Sequence, residues 1–199
     1  MAFIDTPDDE GTAAGLYAAD RERQGYVTNY TRVFANRPRV YTAWQELSAA
    51  IRASMDQRRY ELATLAAARQ LRSSYCSLAH GKVLAEQFYD PETVQALALD
   101  HSAAPLASAE VAVMELAEKV ARDATTVTAG DIDRLRGLGL TDGEIMDVVL
   151  TAAARCFFSK TLDALGAEPD SAYWNLDPGL RDALTVGRPI AARQDTPMD

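Results

Sequence analysis

The chain has 199 residues, of which 48% are hydrophobic and 25% charged, and its formal net charge is -9 at pH 7. This length supports one substantial core without requiring a second domain, and the acidic surface would repel a phosphate backbone, which argues against nucleic acid as a partner. No apolar run approaches the roughly 20 residues that cross a bilayer, and the first residues lack a basic and apolar signal segment. We therefore expect a cytoplasmic protein that does not bind membranes, whose cysteines, Cys76 and Cys156, are free thiols.

Strong helix formers and three- and four-residue apolar spacing predict a single all-α domain over residues 12–186. No segment has the pattern of a useful strand. The predicted helices cover about 12–24, 27–35, 40–55, an interrupted stretch over 58–89, a short helix after Asp90, one from Ser108, and a helix pair within 130–166. Residues 1–11 and 187–199 lack apolar periodicity and are predicted to be a flexible N-terminus and a C-terminal tail.

Capping signals mark the boundaries of two of these helices. Asp90 followed by Pro91 is typical of a helix start, because aspartate caps the first free amides and proline suits the first helical position. The segment TDGE, from Thr141 to Glu144, is a capping box in front of the last long helix. Gly166 is predicted to end that helix.

The stretch LRSSYCSLAHGK contains the main candidate for chemistry. Ser73, Cys76 and His80 are separated by three and then four residues, so a helix places their side chains on one face. A thiol and an imidazole could therefore touch. Spacing alone leaves open a plainer alternative, a buried structural cysteine followed by an ordinary histidine.

Glu61 is the candidate carboxylate, since it lies in an otherwise apolar, alanine-rich run. In one unbroken helix it would be about 22 Å from Cys76, because each residue rises about 1.5 Å. Serine is a poor residue inside a helix and a good N-cap, so the pair Ser73 and Ser74 predicts a break at which two helices fold back. The break would place Cys76 in a first helical turn, which favours the thiolate, and would let Glu61 orient His80 as a proton carrier.

With these residues in view, the chain resembles the carboxymuconolactone decarboxylase and AhpD-like superfamily. The superfamily pattern is Glu, eleven residues, then Cys-x-x-Cys-x-x-x-His; here Glu61 and eleven residues precede Ser73-x-x-Cys76-x-x-x-His80. Tyr75, directly before the second motif position, fits as well. The resemblance implies an AhpD-like helical bundle.

The resemblance extends beyond the motif, over about residues 25–166. The segment GYVTNYTRVFANRPRVYTAW is similar to the lead-in of the branch of uncharacterised peroxidase-related proteins. The segment LGLTDGEIMDVVLTAAARCFFSKTLDALG is similar to the closing helix pair of that branch. The resemblance therefore implies an antioxidant oxidoreductase, a peroxidase acting on a small-molecule hydroperoxide.

By position in the motif, the resemblance implies that Cys76 is the attacking thiol, His80 its general base and acid, and Glu61 the residue that holds this relay. Ser73 and Tyr75 would line the site. Ser73 stands where the family has its resolving cysteine and cannot form a disulfide, so an oxidised Cys76 would need an external thiol reductant.

The resemblance also implies a homo-oligomer, either a trimer or a hexamer. Tyr173 and Trp174 have no periodic partners and are expected either to anchor the tail on this chain or to dock on another subunit. Cys156 lies beside Phe157 and Phe158 and is expected to be structural. No metal, nucleotide, flavin or haem cofactor is expected, because phosphate loops and ligand clusters are absent from the sequence.

Two other functions remain open from the sequence. In an acid-base lyase acting on a small carboxylated lactone, Glu61 and His80 would move protons while Cys76 only lined the pocket. In a non-catalytic helical assembly protein, the fold would have been kept after the catalytic pair of cysteines was lost. The presence of Ser73 in place of the first cysteine of the motif agrees with this alternative. Replacing Cys76 by serine separates the lyase, which would keep its activity, from the peroxidase, which would lose it.

Overall fold

The computed structural model of the protein describes residues 2–102 and 104–193. The secondary structure of these residues is helical, without a strand, which confirms the all-α class. The helices are α1 (Gly11–Gln24), α2 (Asn29–Phe34), α3 (Pro38–Ala53), α4 (Gln57–Gln70), α5 (Ser74–Gln87), α6 (Pro91–Leu99), α7 (Ser108–Asp123), α8 (Ala129–Gly137), α9 (Asp142–Ala164) and α10 (Pro178–Leu184), with 3₁₀ turns at Ala124–Thr126 and Ser171–Asn175. Within this part of the chain, every helix is too short or too polar to span a bilayer.

The predicted capping signals act at the helix ends. The hydroxyl of Thr141 accepts from the amide of Glu144 at 3.2 Å, and the Glu144 carboxylate accepts in return from the Thr141 amide at 2.8 Å. The carboxylate of Asp90 accepts from the amide of Thr93 at 2.7 Å. Just beyond α9, Gly166 has a φ of 77°, a conformation that is costly for any residue with a side chain. These contacts confirm the capping box and the helix start at residue 91.

α4 is the central helix of the bundle. It packs against α5, α7 and α9, so residues 60–68 are all buried and the helix has no polar face in that stretch. The repeated alanines let the neighbouring helices approach closely, while Leu62 and Leu65 fill the spaces between them. Glu61 is the one carboxylate in this buried stretch. We call the apolar cluster around α4, α6, α7 and the first half of α9 the main core.

A second cluster lies where α2, α3, α5 and the second half of α9 meet, and it is rich in aromatic rings. Phe158 stacks on Phe34 with ring centroids 5.3 Å apart, and on Trp44 with centroids 4.9 Å apart. Tyr41 and Tyr75 belong to the same group. We call it the aromatic cluster. Offset and tilted ring packing of this kind stabilises a fold by more than the buried area alone.

The chain bends between α4 and α5 as predicted, but for a different local reason. Arg72 adopts a left-handed backbone conformation with φ of 56°, which costs roughly 1–2 kcal/mol for a residue with a side chain. Ser73 occupies the N-cap position, yet its hydroxyl does not cap the helix. Instead, the Ser73 amide donates to the carbonyl of Ala68 at 2.9 Å, and Ser74 Oγ accepts from the amide of Gly187 at 2.7 Å. The bend is thus held by the backbone and by a distant segment.

Both chain ends contact the bundle, although the sequence predicts a flexible N-terminus and a tail there. The amide of Phe3 donates to the carbonyl of Leu165, at the end of α9, at 2.8 Å, and Ile190 is buried in the main core. The indole of Trp174 donates to the carbonyl of Ala191 at 2.8 Å, so this aromatic residue anchors the tail on its own chain. Isolated apolar residues can be buried in this way without any periodic pattern. Residue 1 and residues 194–199 of these predicted segments lie outside the described residues.

The sequence analysis did not predict α10, a short helix after the last long one. Its start is capped by Asp177, whose carboxylate accepts from the amide of Leu180 at 3.0 Å. Leu184 at its other end packs against α5 at Gly81, where an added Cβ would come within 2.5 Å of the leucine side chain. Gly81 is therefore needed for the close approach of these two helices.

Candidate active site

Cys76 lies in the first turn of α5 and is buried. Two side chains of α9, one helical turn apart, point at its sulfur. The hydroxyl of Ser159 donates to Sγ at 3.1 Å, and the guanidinium of Arg155 donates to it at 3.5 Å. The sulfur therefore faces two hydrogen-bond donors and lies at the start of a helix.

Arg155 is a buried arginine that links the sulfur to the rest of the site. Its second terminal nitrogen donates to the hydroxyl of Tyr60 at 3.5 Å. Its guanidinium also lies 5.7 Å from the ring centre of Trp44 and 5.5 Å from that of Phe158. Cation-π contacts of this type stabilise a buried positive charge through the negative face of the ring, without neutralising the charge. The Nε of Arg155 has no hydrogen-bond partner in the described part of the chain.

The charge of Arg155 is maintained by its neighbours. Burial by itself would lower the pKa of this guanidinium, but the nearby groups of Cys76, Tyr60 and Glu61 raise it above its ordinary value. The arginine is thus a permanent positive charge beside the sulfur.

Glu61 and His80 meet across the bend. Oε2 of Glu61, on α4, lies 2.5 Å from Nδ1 of His80, on α5. Because a carboxylate only accepts hydrogen bonds, this contact assigns the ring proton to Nδ1 and makes Nε2 the acceptor. Burial lowers the pKa of His80, and the charge of Arg155 lowers it further, while Glu61 opposes both. The ring is therefore neutral at neutral pH and able to take up a proton.

A cavity of about 340 Å³ brings these groups together. Cys76, His80 and Tyr75, three of the residues predicted for the site, line it. Glu61 reaches the cavity through its contact with His80. Ser73, which was predicted to line the site, is fully buried and is absent from the described lining.

Tyr75 and Tyr41 line the cavity while their hydroxyl groups are engaged outside it. The hydroxyl of Tyr75 donates to the buried carboxylate of Asp170, and that of Tyr41 shares a hydrogen bond of 3.2 Å with the hydroxyl of Thr31. Burial and the adjacent carboxylate raise the pKa of Tyr75 well above its usual value, so it stays protonated. Both tyrosines therefore contribute ring surface, rather than free hydroxyls, to the cavity.

Comparison with known proteins supports the interpretation of the fold. No protein-family model matches the chain, and neither does any curated protein. Among solved structures, a peroxidase-related protein from Ralstonia eutropha, described as an alkylhydroperoxidase AhpD core, superposes with a TM-score of 0.79 at 20% identity over 87% of this chain and 94% of its own. A peroxidase-related protein from Silicibacter superposes with the same TM-score at 19% identity, covering 87% and 94%. The chain has the AhpD-like fold.

The same fold also includes an enzyme with a different activity. The debrominase Bmp8 superposes on this chain with a TM-score of 0.73 at 13% identity, over 91% of this chain and 97% of its own. A cysteine-to-alanine variant of Bmp8 bound to 2,3,4-tribromopyrrole superposes with a TM-score of 0.70. Proteins with the AhpD-like fold thus differ in the reaction they catalyse.

Within this AhpD-like fold, the two cysteines occupy different surroundings. Cys156 neighbours Arg155 on α9 but packs against the main core and is partly exposed, whereas Cys76 belongs to the aromatic cluster. Both are free thiols, as predicted. Among the described residues, no group of three or more His, Cys, Asp and Glu side chains is arranged to hold a metal ion.

Arg155 and Tyr60 were not predicted from the sequence as members of this candidate site. A signal for the arginine is present in the run AAARCFF, where a single charge lies among apolar residues in a predicted buried helix. A charge at such a position is seldom buried without a partner, so it could have marked a contact with the active centre. Tyr60 has no comparable signal, since a tyrosine next to Glu61 fits ordinary core packing equally well.

Proposed function

We propose that the protein is a member of the AhpD-like superfamily that reduces hydroperoxides, with Cys76 as its single attacking cysteine. One observation carries the proposal: the sulfur of Cys76 contacts Arg155 and lies in the same cavity as a His80 that is paired with Glu61. The motif spacing and the AhpD-like fold support membership in the superfamily. The environment of the sulfur supports a reaction in which a thiolate attacks.

In the first half of the reaction, His80 accepts the proton of the Cys76 thiol at Nε2, and Arg155 stabilises the resulting thiolate. The sulfur then attacks the terminal oxygen of the hydroperoxide. A sulfur–oxygen bond forms, the oxygen–oxygen bond breaks, and the leaving alkoxide takes the proton from His80 to become an alcohol. The sulfur is oxidised by two electrons to a sulfenic acid, and the peroxide is reduced by the same two electrons.

In the second half, a reductant from outside the protein regenerates the thiol. Ser73 has no sulfur with which to form a disulfide, and Cys156 lies against the main core. One external thiol attacks the sulfenic sulfur, giving a mixed disulfide and water, and a second releases Cys76 and leaves as a disulfide. Two thiols are consumed for each hydroperoxide.

An acid-base lyase is the second candidate, and the 2.5 Å contact between Glu61 and His80 favours it. This pair could move a proton to and from a small carboxylated lactone without any redox chemistry. Cys76 would then only line the cavity. The two candidates differ in whether the sulfur changes its oxidation state.

Mass spectrometry of the intact protein, after graded exposure to cumene hydroperoxide, tests the proposal. We expect one added oxygen that maps to Cys76 and disappears on treatment with a dithiol. The matched variants are Cys156→Ser, which should still form the adduct, and Cys76→Ser, which should not. Oxidation that falls only on methionines or on Cys156 would refute the peroxidase function.

A further inference from the structure

The cavity around Cys76 has an arginine-rich lining, although the whole chain carries a net charge of -9. Its described lining includes three arginines and neither Asp nor Glu. Arg23 is already neutralised, because it forms a 2.5 Å ion pair with the buried carboxylate of Asp20. Arg155 faces the Cys76 sulfur and lies near Glu61, so its charge is partly engaged, whereas that of Arg52 remains.

Arg52 and Arg155 converge on Tyr60 from two sides. The guanidinium of Arg52 lies 5.6 Å from the centre of the Tyr60 ring, and that of Arg155 donates to the Tyr60 hydroxyl at 3.5 Å. Within the described part of the chain, Arg52 forms no ion pair with a carboxylate, and the buried Nε of Arg155 has no hydrogen-bond partner. Two guanidinium groups with spare donors form the kind of site that binds a carboxylate.

The rest of the lining suits a flat apolar group. Trp44 and Phe158 stack with ring centroids 4.9 Å apart, and both belong to the lining. Tyr41 and Tyr75 add ring surface, because their hydroxyls are bonded to groups outside the cavity. A volume of about 340 Å³ is near the lower end of the range of ligand cavities, so it fits a single ring better than a long acyl chain.

One side of α3 connects the apolar and the charged ends of the cavity. Trp44, Ser48 and Arg52 are spaced four residues apart, and all three belong to the lining. Along the helix axis, Trp44 and Arg52 are about 12 Å apart. Because both side chains are long, the indole ring and the guanidinium can lie closer together than the backbone positions do. A ligand of one ring can therefore contact the aromatic wall and reach a guanidinium at the same time.

On the basis of the peroxidase function above, we propose that the substrate is a small aromatic hydroperoxide that carries a carboxylate. The ring packs against Trp44 and Phe158, the hydroperoxide lies at Cys76 beside Arg155, and the carboxylate binds Arg52. The carboxylate determines which hydroperoxides bind well. Arg52 is exposed to water in the free protein, and only an anionic ligand gives it a charge-assisted hydrogen bond in place of water.

A binding experiment tests this substrate class without requiring turnover. Isothermal titration compares 4-isopropylbenzoate with 4-isopropylbenzamide, which has the same shape but no charge. We expect the benzoate to bind about tenfold more tightly, as one charge-assisted contact provides. The variant Arg52→Gln should lose this preference. The control Arg136→Gln, on α8, should keep it, because Arg136 is bonded to Asp133 and Asp142 outside this cavity. Equal affinities for the two probes in the wild-type protein would overturn the proposal.

A turnover experiment separates the substrate class from the peroxidase function itself. We expect kcat/KM for the 4-carboxylate of cumene hydroperoxide to exceed that for cumene hydroperoxide by about tenfold, with most of the gain in KM. The gain should disappear in Arg52→Gln. If both hydroperoxides are reduced equally well, the peroxidase function stands and the carboxylate specificity is refuted. If the benzoate binds selectively but neither hydroperoxide is reduced, the anion site stands and the peroxidase function is refuted.

Discussion

The main core and the aromatic cluster of this bundle are built by different rules, although α9 takes part in both. In the main core, α9 contributes Ile145, Val148 and Ala152, which pack against the leucines and alanines of α4 and α7. About one turn later the same helix contributes Arg155 and places it beside a sulfur. One region satisfies only packing, while the other buries charge and hydrogen-bonding groups.

This difference separates stability from chemistry within a single domain. Aliphatic side chains of the main core gain free energy by leaving water, with little dependence on orientation. Beside the aromatic cluster, by contrast, the buried polar groups Glu61, Arg155 and Ser159 each need a partner at a particular place. Burying polar groups costs stability, so a region that contains several of them is where functional residues are expected. Variants in the two regions should therefore affect different measurements.

The largest expected effect is on turnover in the variant Cys76→Ser. Without the sulfur there is no thiolate to attack the peroxide, so we expect the rate of hydroperoxide reduction to fall by about a thousandfold or more. A coupled assay with dithiothreitol as the reductant measures this rate. The matched variant Cys156→Ser should retain activity, because its sulfur packs against the main core. Activity that survives in Cys76→Ser would favour the acid-base lyase instead.

The next largest effect is on stability, in the variant Leu65→Ala. This side chain is fully buried in the main core, and truncating it should lower the free energy of unfolding by about 2–5 kcal/mol. Urea denaturation followed by circular dichroism measures the loss. The rate per folded molecule should stay close to that of the wild-type protein. A strong decrease in that rate would show that the two regions are coupled.

The variant Arg155→Met should have the opposite profile. Removing the guanidinium takes one charged donor from the sulfur, and we expect reduction of cumene hydroperoxide to slow by about 10- to 100-fold. Alkylation of Cys76 by iodoacetamide at pH 7 should slow as well. The free energy of unfolding should change little, because methionine has a similar length and the variant removes the cost of burying a charge, which offsets the lost contacts with Cys76 and Tyr60. A variant that unfolds readily but reacts normally would reverse our assignment of this arginine.

The smallest expected effect is the pH dependence of stability that His80 causes. Its pKa is lowered in the folded protein, chiefly by burial, with Arg155 and Arg52 acting in the same direction and Glu61 against it. The unfolded chain therefore binds a proton below about pH 6.5 more readily than the folded one does, and stability falls as the pH drops through that value toward the folded pKa.

Urea denaturation at pH 7.5 and pH 5 measures this dependence. In His80→Gln the difference in unfolding free energy between the two pH values should be smaller than in the wild-type protein. An unchanged pH dependence in His80→Gln would contradict the assigned direction of the pKa.

Local patterns in the sequence were sufficient to predict much of this molecule. Helical spacing, the capping box at Thr141, and the proline after Asp90 act within a few residues, so they identify helices without knowledge of the fold. The motif also predicted that Glu61 lies near Cys76 and His80, because a single bend between two adjacent helices is enough to bring these positions close. The bend was predicted correctly, although the predicted role of the serine hydroxyls was not.

Tertiary structure alone decided what surrounds these residues. Arg155 and Ser159 reach the sulfur from a helix about 80 positions later in the chain, and Arg52 reaches the cavity from α3. Their approach depends on how α3, α5 and α9 pack, which is set by the summed burial of many apolar side chains and not by any local pattern. The sequence by itself determined the helical class and the three residues of the motif, while packing between distant helices determined the charge and shape of the cavity in which they lie.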